Sequence, residues 1–279
     1  MSVSGLVGQV LNLVPLSVRR HIKQIPGIAQ LQRKLVSTLL DGREFTHMVD
    51  AGPAKGISFL IRLPEDKGIW TGTYELDFAT RVAVAVRPGV IGYDIGGWHG
   101  FFAGVMAANG AREVHVFEPL PLNAERIRKL IEFNPTKSIT LHTIAVGESD
   151  TEMNLLVMPE TSMAKLEASG FQQDATSQQK MRVRVRSLDS ILRAGEVPPP
   201  SLVKIDVEGA ELLVLQGARA TLRAHRPEIF AEIHSAALLE QCTDFLISEG
   251  YRIERLDVDP ALVSSRDICQ IRAVARSVT

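Results

Sequence analysis

Short apolar runs alternate with helical patterns along most of this chain. Seven runs have the length and the flanking turn residues of buried strands: 90–94, 113–118, 139–145, 201–206, 228–234, 250–256 and 268–275. Apolar residues spaced three or four positions apart predict helices near 99–109, 121–133, 209–224 and 236–248. Strands that alternate with helices predict an α/β fold built on a doubly wound parallel sheet.

The start of the chain follows a different pattern. Residues 1–43 are predicted to form a separate helical extension, since Leu6, Val10 and Leu13 share one helical face. Turn residues within 45–62 predict a β-hairpin after it. The rest of the chain, 44–279, is predicted to be one domain that includes this hairpin.

An insertion is expected at 147–200, because this stretch is too long for a simple connection. It contains a period-two segment, Met181 to Arg186, in which valines alternate with arginines. We expect the arginines to form a solvated strand face, and a site for an acidic substrate is the alternative. These arginines are Arg182, Arg184 and Arg186.

Charge is balanced overall but uneven along the chain. The 31 Lys and Arg against 32 Asp and Glu give a net charge of −1, which provides no general attraction to nucleic acid. Residues 1–40 contain five basic residues and no acid. A helical cap packed on the following domain is the simpler interpretation of this segment. The alternative is peripheral contact with an anionic membrane surface.

Cysteine usage and hydropathy indicate a cytoplasmic protein. Cys242 and Cys269 lack metal-site spacing and are too few for a disulfide framework. No apolar run reaches the roughly 20 residues of a membrane span. The apolar stretch from Leu6 to Leu16 has no preceding basic residue, so a secretory signal is not expected.

A glycine turn followed by an acid predicts half of a nucleotide-binding βαβ unit. The strand ending at Asp94 enters a turn that contains Gly96, Gly97 and Gly100, where a backbone can approach a ligand closely. Glu118 ends the next strand, about 20 residues further on, where a carboxylate can accept both ribose hydroxyl protons.

The turn departs from the dinucleotide fingerprint. Its glycines follow G-G-x-x-G after an acid rather than G-x-G-x-x-G. Asp94 would repel a phosphate but attract the ammonium and sulfonium of S-adenosylmethionine. The pattern favours a nucleoside ligand without phosphates, and the alternative is an ordinary tight turn between a strand and a helix.

A second group of charged residues lies at another predicted strand end, in VKIDVEGAE. Asp206 and Glu208 should face the same cleft as the first group, because ligands bind outside the carboxyl ends of parallel strands. Lys204 is the accompanying cation. Glu211 is interpreted as a carboxylate that caps the following helix.

Glu232 and His234 lie two residues apart on the next strand and should point to the same side. With Asp206 they can form a divalent metal site, or His234 can act as a general base. A structural, hydrogen-bonded histidine is the third possibility. Three ligands are a sparse cage for Mg²⁺, so the metal-free alternative is slightly favoured.

These motifs together resemble the FkbM-type family of S-adenosylmethionine-dependent methyltransferases. The resemblance covers roughly Trp70 to Leu256, through TGTYE, YDIGGWHGFF, VFEP, Ala145-Val146-Gly147 and KIDVEGAE. It implies a Rossmann-like methyltransferase sheet of seven strands, mostly parallel with an antiparallel last strand. It also implies O-methylation of a hydroxyl on a sugar, glycan or secondary metabolite.

The resemblance also assigns roles to individual residues. By this likeness the methionine end of the donor is held by Asp94, Gly96 and Gly100, the ribose by Glu118, and the adenine is flanked by Ile144 or Ala145. Trp98 stands where the family usually has Asn, which leaves the contacts from that position open. The candidates for aligning and deprotonating the acceptor are Asp206, Glu208, Glu232 and His234.

Two other functions are compatible with the sequence. An NAD(P)-dependent oxidoreductase is disfavoured by the missing dinucleotide fingerprint. A non-catalytic module of the same fold, docked to a membrane or a partner through its basic start, is the other alternative. The sequence predicts neither the acceptor's identity nor the oligomeric state.

Overall fold

The computed structural model describes residues 44–157, 164–166, 179–256 and 268–276. The helices predicted within residues 1–43 lie outside the described residues. The first described element is the predicted hairpin, formed by β1 (Glu44–Met48) and β2 (Ser58–Arg62), which pair antiparallel. Two helices follow it, α1 (Lys67–Thr71) and α2 (Leu76–Ala85).

The hairpin is tied to the main body of the domain. Asn134 at the end of a later helix accepts a hydrogen bond from the Ser58 N–H at 3.0 Å and donates to its carbonyl oxygen at 2.8 Å. Phe59 lies against Phe101, with ring centroids 6.2 Å apart. The hairpin therefore shares its apolar side with the core of the domain.

The central sheet has seven strands, as predicted, in the order β12-β13-β11-β10-β3-β4-β5. All pairs are parallel except those made by β13, which runs antiparallel to both its neighbours. The antiparallel last strand is thus confirmed. The strands are β3 (Ile91–Ile95), β4 (Glu113–Phe117), β5 (Ile139–His142), β10 (Leu202–Ile205), β11 (Glu228–Ile233), β12 (Tyr251–Arg255) and β13 (Cys269–Ala275).

Helices cover both faces of this sheet because its strands are apolar on both sides. Phe230 packs into one buried cluster with α2, whereas its strand neighbour Ile229 packs into a second cluster on the opposite face. The remaining helices are α3 (Phe101–Ala108), α4 (Pro121–Phe133), α5 (Leu188–Arg193), α6 (Glu211–Gln216), α7 (Arg219–His225) and α8 (Ala236–Ser248).

The single helix predicted over 209–224 is divided into α6 and α7. Gly217 separates them, and it packs so closely on Gly147 that a Cβ would lie 2.0 Å from the Gly147 carbonyl oxygen. The carboxylate of Asp189 then accepts hydrogen bonds from the N–H groups of Ala220 and Thr221, both at 2.8 Å. A cap supplied from another element therefore starts a second helix, which the local sequence does not reveal.

A four-stranded sheet occupies much of the expected insertion, in the order β6-β9-β7-β8. Arg182 and Arg184 are exposed, as predicted, but the prediction is wrong for Arg186, which is buried. Its guanidinium contacts Asp150 at 3.0 Å and Glu196 at 2.8 Å, and these carboxylates compensate its charge. The strands are β6 (Ala145–Val146), β7 (Thr151–Val157), β8 (Ala164–Leu166) and β9 (Gln179–Arg186).

None of the helices in the described ranges has both the length and the apolarity that a membrane crossing requires.

Candidate active site

The candidate site lies where the strand order of the central sheet reverses, between β3 and β10. Two backbone hydrogen bonds hold the strand ends together here. The Gly96 N–H donates to the Phe117 carbonyl and the Asp206 N–H donates to the Ile95 carbonyl, both at 3.0 Å. A cavity of about 270 Å³ opens at this edge.

Close packing against neighbouring backbone and side chains requires glycine in this turn. Gly96 has φ of 79°, and a Cβ there would lie 1.7 Å from the carbonyl oxygen of Asp206. Gly96 and Gly97 both line the cavity. Gly100, at the start of α3, packs against Leu130 and does not line it. The turn thus brings two of the three predicted glycines to the cavity.

Asp94 lies behind this turn and does not line the cavity. Its Oδ2 accepts a hydrogen bond from the Ala103 N–H at 3.0 Å, which ties the strand end to α3. Burial raises the pKa of Asp94 to about 6, although the nearby Lys204 ammonium opposes the rise. Its assignment to the methionine end of a donor therefore stays a prediction.

Glu118 is buried on one side of the cavity. Its Oε2 accepts from the Trp98 N–H at 2.9 Å and its Oε1 from the Leu120 N–H at 2.8 Å. Burial raises the pKa of Glu118 to about 7, and these hydrogen bonds and one from Asn123 limit the rise. Each carboxylate oxygen has a further lone pair, so the group can still accept hydroxyl protons from a ligand.

Of the two residues proposed beside an adenine, Ala145 lines the cavity. Ile144 packs instead into the buried cluster on one face of the sheet.

The Trp98 side chain is held in an aromatic stack. Its ring centroid lies 3.7 Å from that of His99 and 5.3 Å from that of Tyr74, with nearly parallel planes. His99 in turn contacts Asp66, with Nδ1 and Oδ1 3.1 Å apart, and Asp66 also pairs with Arg126. The contact between Trp98 and Glu118 is made by the backbone N–H of Trp98. It therefore does not depend on whether this position carries Trp or the Asn that is usual in the family.

Acids from two neighbouring strand ends line the other side of the cavity: Asp206, Glu208 and Glu232. The Lys204 Nζ lies 3.1 Å from Oδ2 of Asp206 and 4.7 Å from the centre of the Phe102 ring. Burial opposes its charge, but Asp206 and Asp94 hold the pKa of Lys204 above its usual range. The cluster thus contains a buried ammonium that partly neutralises its acids.

His234 lies beneath this cluster and is surrounded by carboxylates. Its Nδ1 is 2.8 Å from Oε1 of Glu211, and its Nε2 is 3.4 Å from Glu208 and 3.6 Å from Asp206. Burial favours the neutral ring, but the hydrogen bond to Glu211 and the nearby carboxylates outweigh it and raise the pKa of His234 to about 9. The imidazole is therefore protonated near neutral pH.

Glu211 has a second role besides the predicted cap. Its Oε1 accepts from the Gly209 N–H at 2.9 Å, next to the start of α6, as a capping carboxylate does. The same oxygen contacts His234. The contact joins residues 23 positions apart, so helical signals alone could not reveal it.

The three candidate metal ligands do come together. Asp206, Glu232 and His234 each offer one ligand atom, and these atoms lie within 4.8 Å of one another. Oε2 of Glu232 also accepts a hydrogen bond from the Gln270 side chain at 2.8 Å. A cation bound here would have to displace the proton of His234, since an imidazolium nitrogen has no free lone pair.

The cavity also contains one acid that the charged motifs of the sequence do not include, although it lies within TGTYE. Glu75 lines the cavity, next to Tyr74 and before the first residue of α2. Its backbone is left-handed, with φ of 41°. Trp98 and Glu208 also have left-handed backbones and line the cavity, with φ of 47° and 53°. Strained backbone of this kind is concentrated at functional sites.

A model of the methyltransferase FkbM domain matches residues 90–253 of the chain. The chain belongs to the FkbM family of S-adenosylmethionine-dependent methyltransferases. The match includes the glycine turn, Glu118 and the acid cluster.

This FkbM methyltransferase is similar to several characterised or solved proteins. It is 30% identical over 156 residues to the hexuronic acid methyltransferase AglP of Haloferax volcanii, over 55% of this chain and 61% of that one. The chain thus spans about three fifths of that relative's length.

Two solved structures are more distant. A methyltransferase FkbM from Methylobacillus flagellatus KT is 20% identical, with a TM-score of 0.48 over 76% of this chain and 56% of that one. The Pyrococcus abyssi tRNA (uracil-54, C5)-methyltransferase, solved with S-adenosyl-L-homocysteine, is 15% identical, with a TM-score of 0.45 over 82% of this chain and 43% of that one.

The residues that line the cavity of this FkbM methyltransferase fit S-adenosylmethionine. Glu118 retains acceptor lone pairs, of the kind that match ribose hydroxyls, and the other side of the cavity is rich in carboxylates. The donor carries a sulfonium and an ammonium, and both are stabilised by an acidic surrounding.

Proposed function

We propose that this chain transfers a methyl group from S-adenosylmethionine to a hydroxyl group of a sugar or glycan. The observation that carries the proposal is the cavity at the strand reversal, which joins Glu118 on one side to Asp206, Glu208 and Glu232 on the other. The hexuronic acid methyltransferase AglP, named for a sugar acid, supports a carbohydrate acceptor.

The donor side consists of the glycine turn and the adjoining strand end. When bound, S-adenosylmethionine supplies an electrophilic methyl group on a sulfonium. Glu118 accepts hydrogen bonds from the ribose hydroxyls, Ala145 flanks the adenine, and the backbone of Gly96 and Gly97 approaches the methionine end. These contacts position the donor and contribute through proximity and orientation.

The acceptor side consists of the three carboxylates of the cluster. Asp206, Glu208 and Glu232 accept hydrogen bonds from sugar hydroxyls and orient the reacting oxygen towards the methyl group. His234 is protonated near neutral pH, so it holds Glu208 and Asp206 in place rather than taking a proton. We therefore assign His234 to positioning and the proton transfer to a carboxylate.

Two measurements test this function. Titration calorimetry should detect binding of S-adenosylmethionine and S-adenosylhomocysteine, whereas NAD and NADP should not bind. Incubation with isotopically labelled donor and a panel of neutral and acidic sugar glycosides, followed by mass analysis, should yield a methyl ether. Absence of donor binding by the wild-type protein would refute the proposed function, and donor binding without transfer to any glycoside would refute the carbohydrate acceptor.

A further inference from the structure

Glu75 lies at the edge of the cavity in a conformation that helix formation does not explain. It directly precedes α2, yet its side chain makes no capping hydrogen bond to that helix. Its left-handed backbone is unfavourable for a residue other than glycine. The side chain lines the cavity instead.

The Glu75 carboxyl group is only partly satisfied by its neighbours. The Tyr74 hydroxyl lies near it and lowers its pKa. Its Oε2 atom, however, is buried and has no hydrogen-bond partner among the described residues. A buried acceptor without a partner is costly, and such a group commonly has a functional explanation.

The other carboxylates of the cavity are engaged in different ways. Asp206 contacts Lys204, Glu208 contacts His234, and Glu232 accepts from Gln270. Two other buried carboxylate oxygens lack a hydrogen-bond partner within the described ranges, on Asp94 and Glu211, but neither residue lines the cavity. Among the carboxylates that line the cavity, Glu75 is therefore the one with a buried oxygen that lacks a hydrogen-bond partner in the described residues.

The charges around Glu75 match the requirements of proton transfer near neutral pH. Burial raises the pKa of Glu75 to about 7, the carboxylates of Glu232 and Asp206 add to the rise, and the Lys204 ammonium and the Tyr74 hydroxyl oppose it. A general base works best when its pKa lies near the working pH, because it is then both available and basic.

We propose that Glu75 is the general base that takes the proton of the acceptor hydroxyl, an inference that rests on the proposed function. The acceptor oxygen forms the new C–O bond as the C–S bond of the donor breaks and leaves its electron pair on sulfur. The hydroxyl proton passes to the carboxylate of Glu75, so atoms and charge balance. Asp206, Glu208 and Glu232 then orient the sugar around this oxygen.

Glu75→Gln tests the proposal, because it keeps the size of the side chain and removes its basicity. We expect turnover to fall by roughly 10²- to 10⁴-fold, the usual contribution of a positioned base. In the wild type, kcat/KM should rise with pH through about 7, where Glu75 loses its proton, and then level off. The variant should lose the part of this rise that Glu75 contributes, whereas Glu118 and Glu208, whose pKa values burial also raises to about 7, titrate in both proteins. Its affinity for S-adenosylhomocysteine, measured by calorimetry, should stay unchanged.

Two further variants control the measurement. Asp77→Asn removes an exposed carboxylate from the first turn of the same helix and should leave both turnover and the pH profile unchanged. Glu75→Asp keeps a carboxylate, and aspartate tolerates a left-handed backbone, so it should retain the pH-dependent rise at reduced turnover. Thermal unfolding confirms that each variant is folded.

The possible failures are distinguishable. A wild-type protein that binds no donor or methylates no sugar overturns the proposed function, and this inference with it. An active wild type combined with Glu75→Gln at near wild-type turnover overturns the inference alone. So does a Glu75→Gln variant that loses donor affinity but keeps the pH profile, since Glu75 would then bind the donor's ammonium.

Discussion

Replacing Glu118 by Gln should weaken donor binding while changing stability in a pH-dependent way. Glu118 is buried, and its pKa rises from 4.5 to about 7 because burial disfavours the charged form. The native protein therefore binds this proton more tightly than the unfolded chain does. Its contribution to stability is present below about pH 4.5 and is lost as the pH rises through about 7.

The magnitude follows from the size of the shift. One pKa unit corresponds to about 1.4 kcal/mol, so the charged form of Glu118 costs roughly 3 kcal/mol above neutral pH. Glutamine removes this cost. However, its amide nitrogen cannot accept a hydrogen bond, so one of the two N–H groups of Trp98 and Leu120 loses its acceptor, at roughly 1–3 kcal/mol.

Urea unfolding at two pH values separates these effects. At about pH 8 the gain and the loss nearly cancel, and the variant should be about as stable as the wild type or slightly more stable. At about pH 4.5 the loss alone remains, so the variant should be less stable by roughly 1–3 kcal/mol. Donor affinity measured by calorimetry should fall roughly 5- to 150-fold, because a charge-assisted contact to the ribose is lost.

Glu125→Gln is the matched control, because Glu125 is an exposed acid on α4 and its pairing with Arg128 is a surface contact. Glu125→Gln should change neither the free energy of unfolding nor the donor affinity appreciably. The reasoning fails if Glu118→Gln binds the donor as tightly as the wild type, or if its stability relative to the wild type is the same at both pH values.

Three other predictions concern the acid cluster and the start of the chain. His234→Ala should reduce the free energy of unfolding by about 3–5 kcal/mol near neutral pH, because it leaves the Glu211 carboxylate buried without its cation. In urea unfolding this difference should shrink as the pH rises through about 9, where the imidazole of wild-type His234 loses its proton. A difference that stays constant with pH would contradict the positive charge assigned to His234. Turnover should survive a chelator and gain nothing from added Mg²⁺, since the protonated His234 offers no lone pair; loss of turnover that Mg²⁺ restores would establish the metal site instead. If the basic residues 1–40 contact a membrane, the full-length protein should sediment with anionic vesicles at low salt and be released at high salt, whereas equal behaviour with neutral vesicles would favour the packed cap.

The strands of the central sheet could be predicted because their signals are local. Each is a short apolar run bounded by turn residues or by an acid, and such runs mark parallel strands that are buried on both faces. The division of one predicted helix at Gly217 was missed, since the cause lies in Gly147 and Asp189, which come from other parts of the chain.

The same distinction holds for the candidate site: residues at strand ends could be predicted, and features that depend on contacts between distant parts of the chain could not. Asp206, Glu208 and Glu118 follow strand ends, so the topology alone directs them to one edge of the sheet. Glu75 precedes a helix in sequence, where an acid is ordinarily explained by the helix dipole, and nothing in the local pattern indicates its left-handed backbone or its place in the cavity lining. The charge on His234 also depends on its surroundings in space, because Glu211 lies on another element.

The position of β13 has a consequence for synthesis on the ribosome. In the described part of the chain, β13 is the last strand to emerge, yet it lies between β11 and β12 and is the strand that pairs with β12. Its Gln270 also donates to Glu232. A nascent chain that has emerged only as far as β12 can complete the edge at β3 and β4, where we propose that the donor binds, whereas the proposed acceptor edge at β10 and β11 still lacks β13. The two halves of the cavity are therefore expected to form at different times, and the half proposed to orient the acceptor forms last.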